Sequence, residues 1–196
     1  MPKAPPTTSA VAHEVYSPVA RQFHWWTVAL IAVQVPVGVL MAYRGNVLNI
    51  WDGLTNNLYS THKLFGLVIL AVVIARLAYR LRNGAPADEP TLEPWQKAVS
   101  HVTHWAIYGL LLVVPVLGWL GISYFPALSV FGVNLPGLVS PDEAAAAKVL
   151  FAHLIGAFLL VILIGMHVGA ALFHYVIRKD GVLNRMLPAL PRRDGK

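Results

Sequence analysis

The chain has 196 residues, of which 57% are apolar and only 12% charged, about half the charged share of a soluble domain. That deficit, with long uncharged runs, points to an integral membrane protein of one compact bundle rather than to a soluble domain. There is no cysteine, which excludes disulfides, thiolate metal sites, iron–sulfur clusters and C-x-x-C-H haem attachment and leaves eight histidines as the candidates for holding a metal or haem.

Residues 1–20 form a polar, Pro-rich tail whose first part, Met1 to Tyr16, has no apolar core and does not read as a cleaved signal peptide. Four apolar runs follow: Trp25 to Tyr43, Leu64 to Leu81, Val102 to Ile122 and Leu150 to Ile177. Each is long enough to span a bilayer as a helix, and none alternates as barrel strands do. The fold expected is all-α, a four-helix transmembrane bundle over residues 21–187, with a basic tail at 188–196. Pro36 and Pro115 fall inside helices, which a membrane bundle tolerates. Before the fourth run, Ser140, Pro141 and Glu143 predict a helix start with Ser as cap and Glu closing a capping box.

Four spans put both termini on one side. Twelve of the fifteen Lys and Arg fall on that side, and only Arg44, Lys63 and Lys148 on the other. The positive-inside rule then predicts cytoplasmic termini; in a Gram-negative bacterium the membrane is the inner one and the other side is periplasmic. It also accounts for the +6 net charge without nucleic acid as a partner. Trp25, Trp26, Trp51, Trp95 and Trp119 fall near the expected interfaces, as an aromatic belt does.

This topology sorts four histidines by depth. His24 and His167 lie toward the cytoplasmic face, His62 and His153 toward the periplasmic face, and each pair joins two different helices. His153 and His167 are fourteen residues apart on the last helix, which leaves them on nearly one face and about 21 Å apart along the axis. Haem iron needs axial ligands on opposite faces of a flat ring, and facing helices supply that geometry. The ligating nitrogens must be unprotonated. Histidine inside a membrane is costly and usually serves a function. A His-based membrane metal transporter is the competing reading of the same residues.

Other residues bear on the same region. His101 and His104, three apart at the start of the third helix, could replace one cytoplasmic ligand. His174, two turns beyond His167, could hydrogen-bond a haem propionate or a quinone oxygen. Arg76 lies within a span and could pair with a propionate, as could Arg21 from the first helix. Gly66, Gly118, Gly121, Gly156, Gly165 and Gly169 allow close approach of a ring or a helix. Gln34 is uncharged at mid-membrane, and His13 lies in the polar tail.

The segments RQFHW (Arg21 to Trp25), HKLFG (His62 to Gly66), ARLAYRL (Ala75 to Leu81), HVTHWAIY (His101 to Tyr108), PVLG (Pro115 to Gly118), FGVNLP (Phe131 to Pro136) and the stretch from His167 to Pro188 ending KDGVLNRMLP together resemble the bacterial cytochrome b561 family. The resemblance covers roughly Tyr16 to Pro188. It implies a four-helix membrane protein with two non-covalent haems b, their axial ligands falling on His24, His62, His153 and His167. It also implies electron exchange with ubiquinone, making the chain a quinone-linked oxidoreductase. Some of the family is similar to superoxide oxidases, which would pass electrons from periplasmic superoxide to quinone. Related dehydrogenase and hydrogenase cytochrome subunits share part of the pattern, so the expected partners are membrane lipid, quinone and a small-molecule or protein electron donor. An anionic donor favours a positive entrance. The periplasmic side carries Arg44, Lys63 and Lys148 against Asp52, Asp142 and Glu143, a net charge of zero, with Lys63 next to His62 as the residue that could steer an anion.

Overall fold

The protein is described by a computed structural model that covers residues 15–191. His13, most of the N-terminal tail and the last five residues of the basic C-terminal tail lie outside the described residues. The architecture is all-α, with four long helices: α1 Pro18–Ala42, α2 Gly53–Asn83, α3 Pro94–Tyr124 and α4 Glu143–Phe173. All four are long and apolar enough to cross a membrane. A π turn extends α1 over Tyr43–Val47 and another extends α4 over His174–Arg178. α1 and α3 continue through Pro36 and Pro115.

Each helix is longer than its apolar run because polar caps extend it. The 31 residues of α2 span roughly 46 Å at 1.5 Å per residue, against about 30 Å of hydrocarbon. The Ser17 hydroxyl accepts the Ala20 amide at 3.2 Å and starts α1, with Pro18 at its first position. The Asp52 carboxylate accepts the Thr55 amide at 2.8 Å and starts α2. α2 stops at Gly84, whose φ of +73° and ψ of −163° suit glycine alone. α3 starts at Pro94, with the Gln96 side chain accepting the Glu93 amide at 2.9 Å.

The cap expected on Ser140 for α4 is corrected by the structure. Asp142 is the cap, its carboxylate accepting the Ala145 amide at 3.0 Å. The Asp142 amide also donates to Tyr124 O at 3.0 Å, which ties this residue to the end of α3 and leaves Ser140 and Pro141 in the connection. That connection also holds a two-strand hairpin, β1 Ser129–Val130 and β2 Val133–Asn134, paired antiparallel. It turns through Phe131 and Gly132, both at positive φ.

α1 packs along α2 and α3 along α4, with α2 against α3 joining the two halves. The Tyr16 amide donates to Arg185 O at 3.2 Å, so both chain ends lie at one end of the bundle, here the terminal end. The buried core is a mid-bundle layer of Ile69 and Val73 from α2, Tyr108 and Leu111 from α3 and Leu160 from α4. Outward-facing side chains are large and apolar: Phe151, Phe158 and Met166 on α4 are each more than half exposed. In water such a surface would drive association; against lipid tails it costs nothing.

Candidate haem-binding histidine centres

The histidines gather at two levels, one on each side of the apolar core layer. At the loop end, His62 of α2 faces His153 of α4 with ring centroids 6.0 Å apart and planes at 87°. At the terminal end, His24 of α1 faces His167 of α4 with centroids 6.3 Å apart and planes at 71°. Neither α1 nor α2 packs its backbone closely on α4, so in both pairs the side chains bridge a gap between helices. Two imidazoles bound to opposite sides of one metal at roughly 2 Å place their centroids about 6 Å apart. The spacing of both pairs therefore fits a single metal ion that the two imidazoles would hold between them.

At the loop end, two glycines make room for the imidazoles. A Cβ on Gly118 would come within 3.1 Å of His153, and a Cβ on Gly38 within 3.0 Å of His62. His153 Nδ1 lies 2.8 Å from Val114 O. The carbonyl can only accept, so Nδ1 carries the proton and Nε2 is left with its lone pair. His62 Nδ1 is buried and has no hydrogen-bond partner among the described residues. The Gln34 amide nitrogen donates to His62 O at 3.0 Å and steadies this part of α2 against α1.

The terminal-end level is more crowded and more cationic. The His104 ring lies 5.0 Å from that of His167, and its Nδ1 is 3.3 Å from the Ser100 hydroxyl. Arg76 donates from Nη2 to His24 Nδ1 at 3.1 Å, and its guanidinium lies 5.1 Å from the centroid of Tyr108. Arg80 lies over Trp105 and Tyr108 at 5.7 and 5.8 Å. Arg76 is thus turned into the histidine cluster rather than out to the membrane surface.

The remaining candidates separate. His101 bonds Asp88 at 3.0 Å on the exposed surface. His174 holds Asp180 at 2.6 Å through Nδ1, with Arg178 3.4 Å from the same carboxylate oxygen. Among the described residues Arg21 forms no hydrogen bond or ion pair to a histidine; it lines a groove beside Trp25 and Trp26. Gly121 and Gly156 serve helix packing, against Leu150 and Val114, while Gly165 and Gly169 have nothing within 4 Å of an added Cβ. Sequence reasoning missed Gly38, Tyr108 and Trp105. The sequence signal for Tyr108 was its position one turn after His104, on the same helical face.

Lys63 is not a free surface charge. Its ammonium donates to Ala127 O at 2.7 Å and Ser129 O at 3.0 Å, and Ser60 accepts the Phe131 amide at 3.2 Å. α2 thereby holds the hairpin at the loop end. Arg44 donates to Asp52 at 2.6 Å and to Thr55 at 3.0 Å. Asp52, outside the membrane-spanning segments, is lowered to about 2 by the Thr55 amide, then by Arg44 and the Thr55 hydroxyl. No group of three or more His, Asp or Glu side chains able to hold a bare metal ion occurs among the described residues.

The family model described as prokaryotic cytochrome b561 matches residues 15–189. The chain is 28% identical to a probable superoxide oxidase, CybB, of Yersinia pestis, over 90% of this chain and 97% of that protein. It is 29% identical to cytochrome b561 homolog 1 of Escherichia coli K12, over 84% and 92%, and 27% identical to homolog 2 of the same strain, over 89% and 92%. With four membrane-length helices and a family match over nearly all its length, this chain belongs to the prokaryotic cytochrome b561 family of electron-transport membrane proteins, which implies b-type haem.

Proposed function

We propose that the protein moves single electrons across the membrane through two b-type haems, from superoxide at the loop end to ubiquinone in the bilayer. The observation that carries this reading is the pair of facing histidines at each end, at 6.0 and 6.3 Å. In this reading His62 and His153 hold one haem and His24 and His167 the other. The haem iron, when bound, supplies reversible one-electron chemistry. The chain supplies the ligands, the spacing and the field around them.

The hydrogen bonds bear differently on the two centres. Val114 fixes the His153 tautomer with Nε2 free. Arg76 now bonds His24 Nδ1 and so favours the opposite tautomer. For His24 to hold the haem through Nε2, its proton would have to sit on Nδ1 and the Arg76 bond would be given up, which would leave the guanidinium free for a carboxylate of the haem. At the loop end Arg44 is neutralised by Asp52, while Lys63, the residue after His62, is held by carbonyl oxygens and pairs with no carboxylate among the described residues. This concentrates positive potential beside the first haem, which an anionic donor exploits.

The balance is simple. Two superoxide anions each give up one electron and become dioxygen; two electrons and two protons convert one quinone to quinol. His174, fixed by Asp180 at the terminal end, is the candidate proton donor to the quinone. Orientation with this end in the cytoplasm follows from the charge asymmetry.

The test is stopped-flow spectroscopy of purified haem-loaded protein. Superoxide should reduce the b-type bands, and added ubiquinone should reoxidise them. Lys63→Ala should lower the superoxide rate at low salt and lose most of its salt dependence. Bands that superoxide leaves oxidised would overturn superoxide as the donor, and an unchanged salt profile would remove Lys63 from the entrance.

A further inference from the structure

Arg21 lies one turn into α1, where the aligned peptide dipoles leave a partial positive charge and no Asp or Glu stands in the first turn. Its Nε is buried and has no hydrogen-bond partner among the described residues. Other arginines at the bundle ends are satisfied: Arg44 by Asp52, Arg178 by Asp180 and Thr91 O, and Arg185 by Ala87 O. Two positive features therefore converge on Arg21 with no anion among the described residues to offset them. Arg21 as a whole is half-buried, and a guanidinium in this position gains charge-assisted hydrogen bonds from an anionic partner.

Arg21 lines a groove of about 580 Å³ between the start of α1 and the C-terminal segment, with Trp25, Trp26, Met186 and Leu187. Its walls are fixed. The Trp25 indole donates to Met186 O at 3.3 Å, and the Tyr16 amide donates to Arg185 O beside it. Among the described residues no acidic side chain lines it, and Trp26 is 66% exposed at its mouth. Arg21 stands at the end of the membrane-spanning segment, and the apolar wall continues along α1 through Ala29 toward mid-membrane. The guanidinium is thus at the level of lipid phosphates, and the indoles at the level where aromatic side chains meet acyl chains.

We propose that this groove binds one anionic phospholipid of the leaflet at the terminal end. The phosphate is held by the Arg21 guanidinium, and an acyl chain lies against Trp26 and Ala29. A guanidinium offers a planar fork to phosphate oxygens. A lipid with net negative charge is preferred over a zwitterionic one because the described lining of the groove offers no carboxylate to receive a choline or ethanolamine ammonium. A quinone fits the apolar walls but leaves the Arg21 charge uncompensated.

The test is native mass spectrometry of the full-length, haem-loaded protein in detergent, titrated with phosphatidylglycerol or phosphatidylcholine of matched chains. Wild type should retain one phosphatidylglycerol roughly tenfold more tightly than phosphatidylcholine, the scale of one charge-assisted hydrogen-bonded contact. Arg21→Gln should bring the two lipids level. Trp26→Ala, which keeps the charge and removes an apolar wall, should weaken both while preserving the preference, and it serves if the Arg21 variant does not fold. Equal binding of the two lipids by wild type, or an unchanged preference in Arg21→Gln, would overturn the proposal. One-for-one displacement of phosphatidylglycerol by decylubiquinone would overturn it in favour of a quinone groove.

Discussion

A buried imidazole can serve as a ligand only if its free nitrogen is presented without a proton, and here the backbone decides this for one histidine in particular. His153 gives its Nδ1 proton to Val114 O, so Nε2 is held as a lone pair before any metal arrives. Gly118 leaves the ring its room. Gly118→Val should force His153 off this geometry at a cost of about 1–3 kcal/mol for overpacking, lowering haem content measured by pyridine haemochromogen assay. At the terminal end His24 and His104 both approach His167, and only the wider pair has the spacing for a shared ion. His24→Ala should therefore lose one haem per chain, whereas His104→Ala should keep both. The reverse result would exchange their roles. His174→Ala should slow quinone reduction while leaving haem content unchanged; an unaltered rate would remove it from the proton path. The four paired histidines were legible in the sequence because depth along a spanning helix follows from residue count. The partner of Arg76 was not, since His24 is 52 positions away and only the fold brings the two together. Gly38 went unnoticed for a similar reason: its steric neighbour, His62, is on another helix.

The helices take their lengths from caps that the apolar pattern alone underestimates. α2 starts at Gly53, eleven residues before its apolar run, because Asp52 captures the first-turn amide and Arg44 captures Asp52. Asp52 is held well below its ordinary value of 3.8, at about 2. Its contribution to stability is therefore complete above pH 3.8 and is lost as pH falls toward 2. Thermal unfolding in detergent across that window should show Asp52→Asn to be less sensitive to acid than wild type; parallel curves would contradict the cap's role. At the start of α4, Ser140 looked like the cap because a capping box reads plausibly from sequence. Asp142 takes the position because the end of α3 pins its backbone there, a tertiary constraint absent from local pattern. The hairpin at Ser129–Asn134 was equally invisible, two residues per strand being too short for any period to register. It depends on Lys63, whose two charge-assisted bonds contribute roughly 1.5–3 kcal/mol each. Lys63→Ala should accelerate hydrogen exchange at the hairpin and leave that of mid-bundle α2 unchanged.

Across the whole molecule, an apolar layer of Ile69, Val73, Tyr108, Leu111 and Leu160 separates two polar centres. Two helix pairs joined through α2 and α3 frame both. Such a layer keeps the two histidine levels apart within the bundle. The bundle, its spans and the likeness to cytochromes b561 could be read from charge deficit, span length and motif spacing. The gap between α4 and the α1–α2 pair, which the histidines bridge, needed the fold. The most direct test of this account is the haem-to-protein ratio of the purified chain, taken with its reduced-minus-oxidised visible spectrum. Two b-type haems per chain, falling to one in His62→Ala and to one in His24→Ala, is the result expected. A single haem in wild type, or none after expression with ample haem, would contradict the two-centre account.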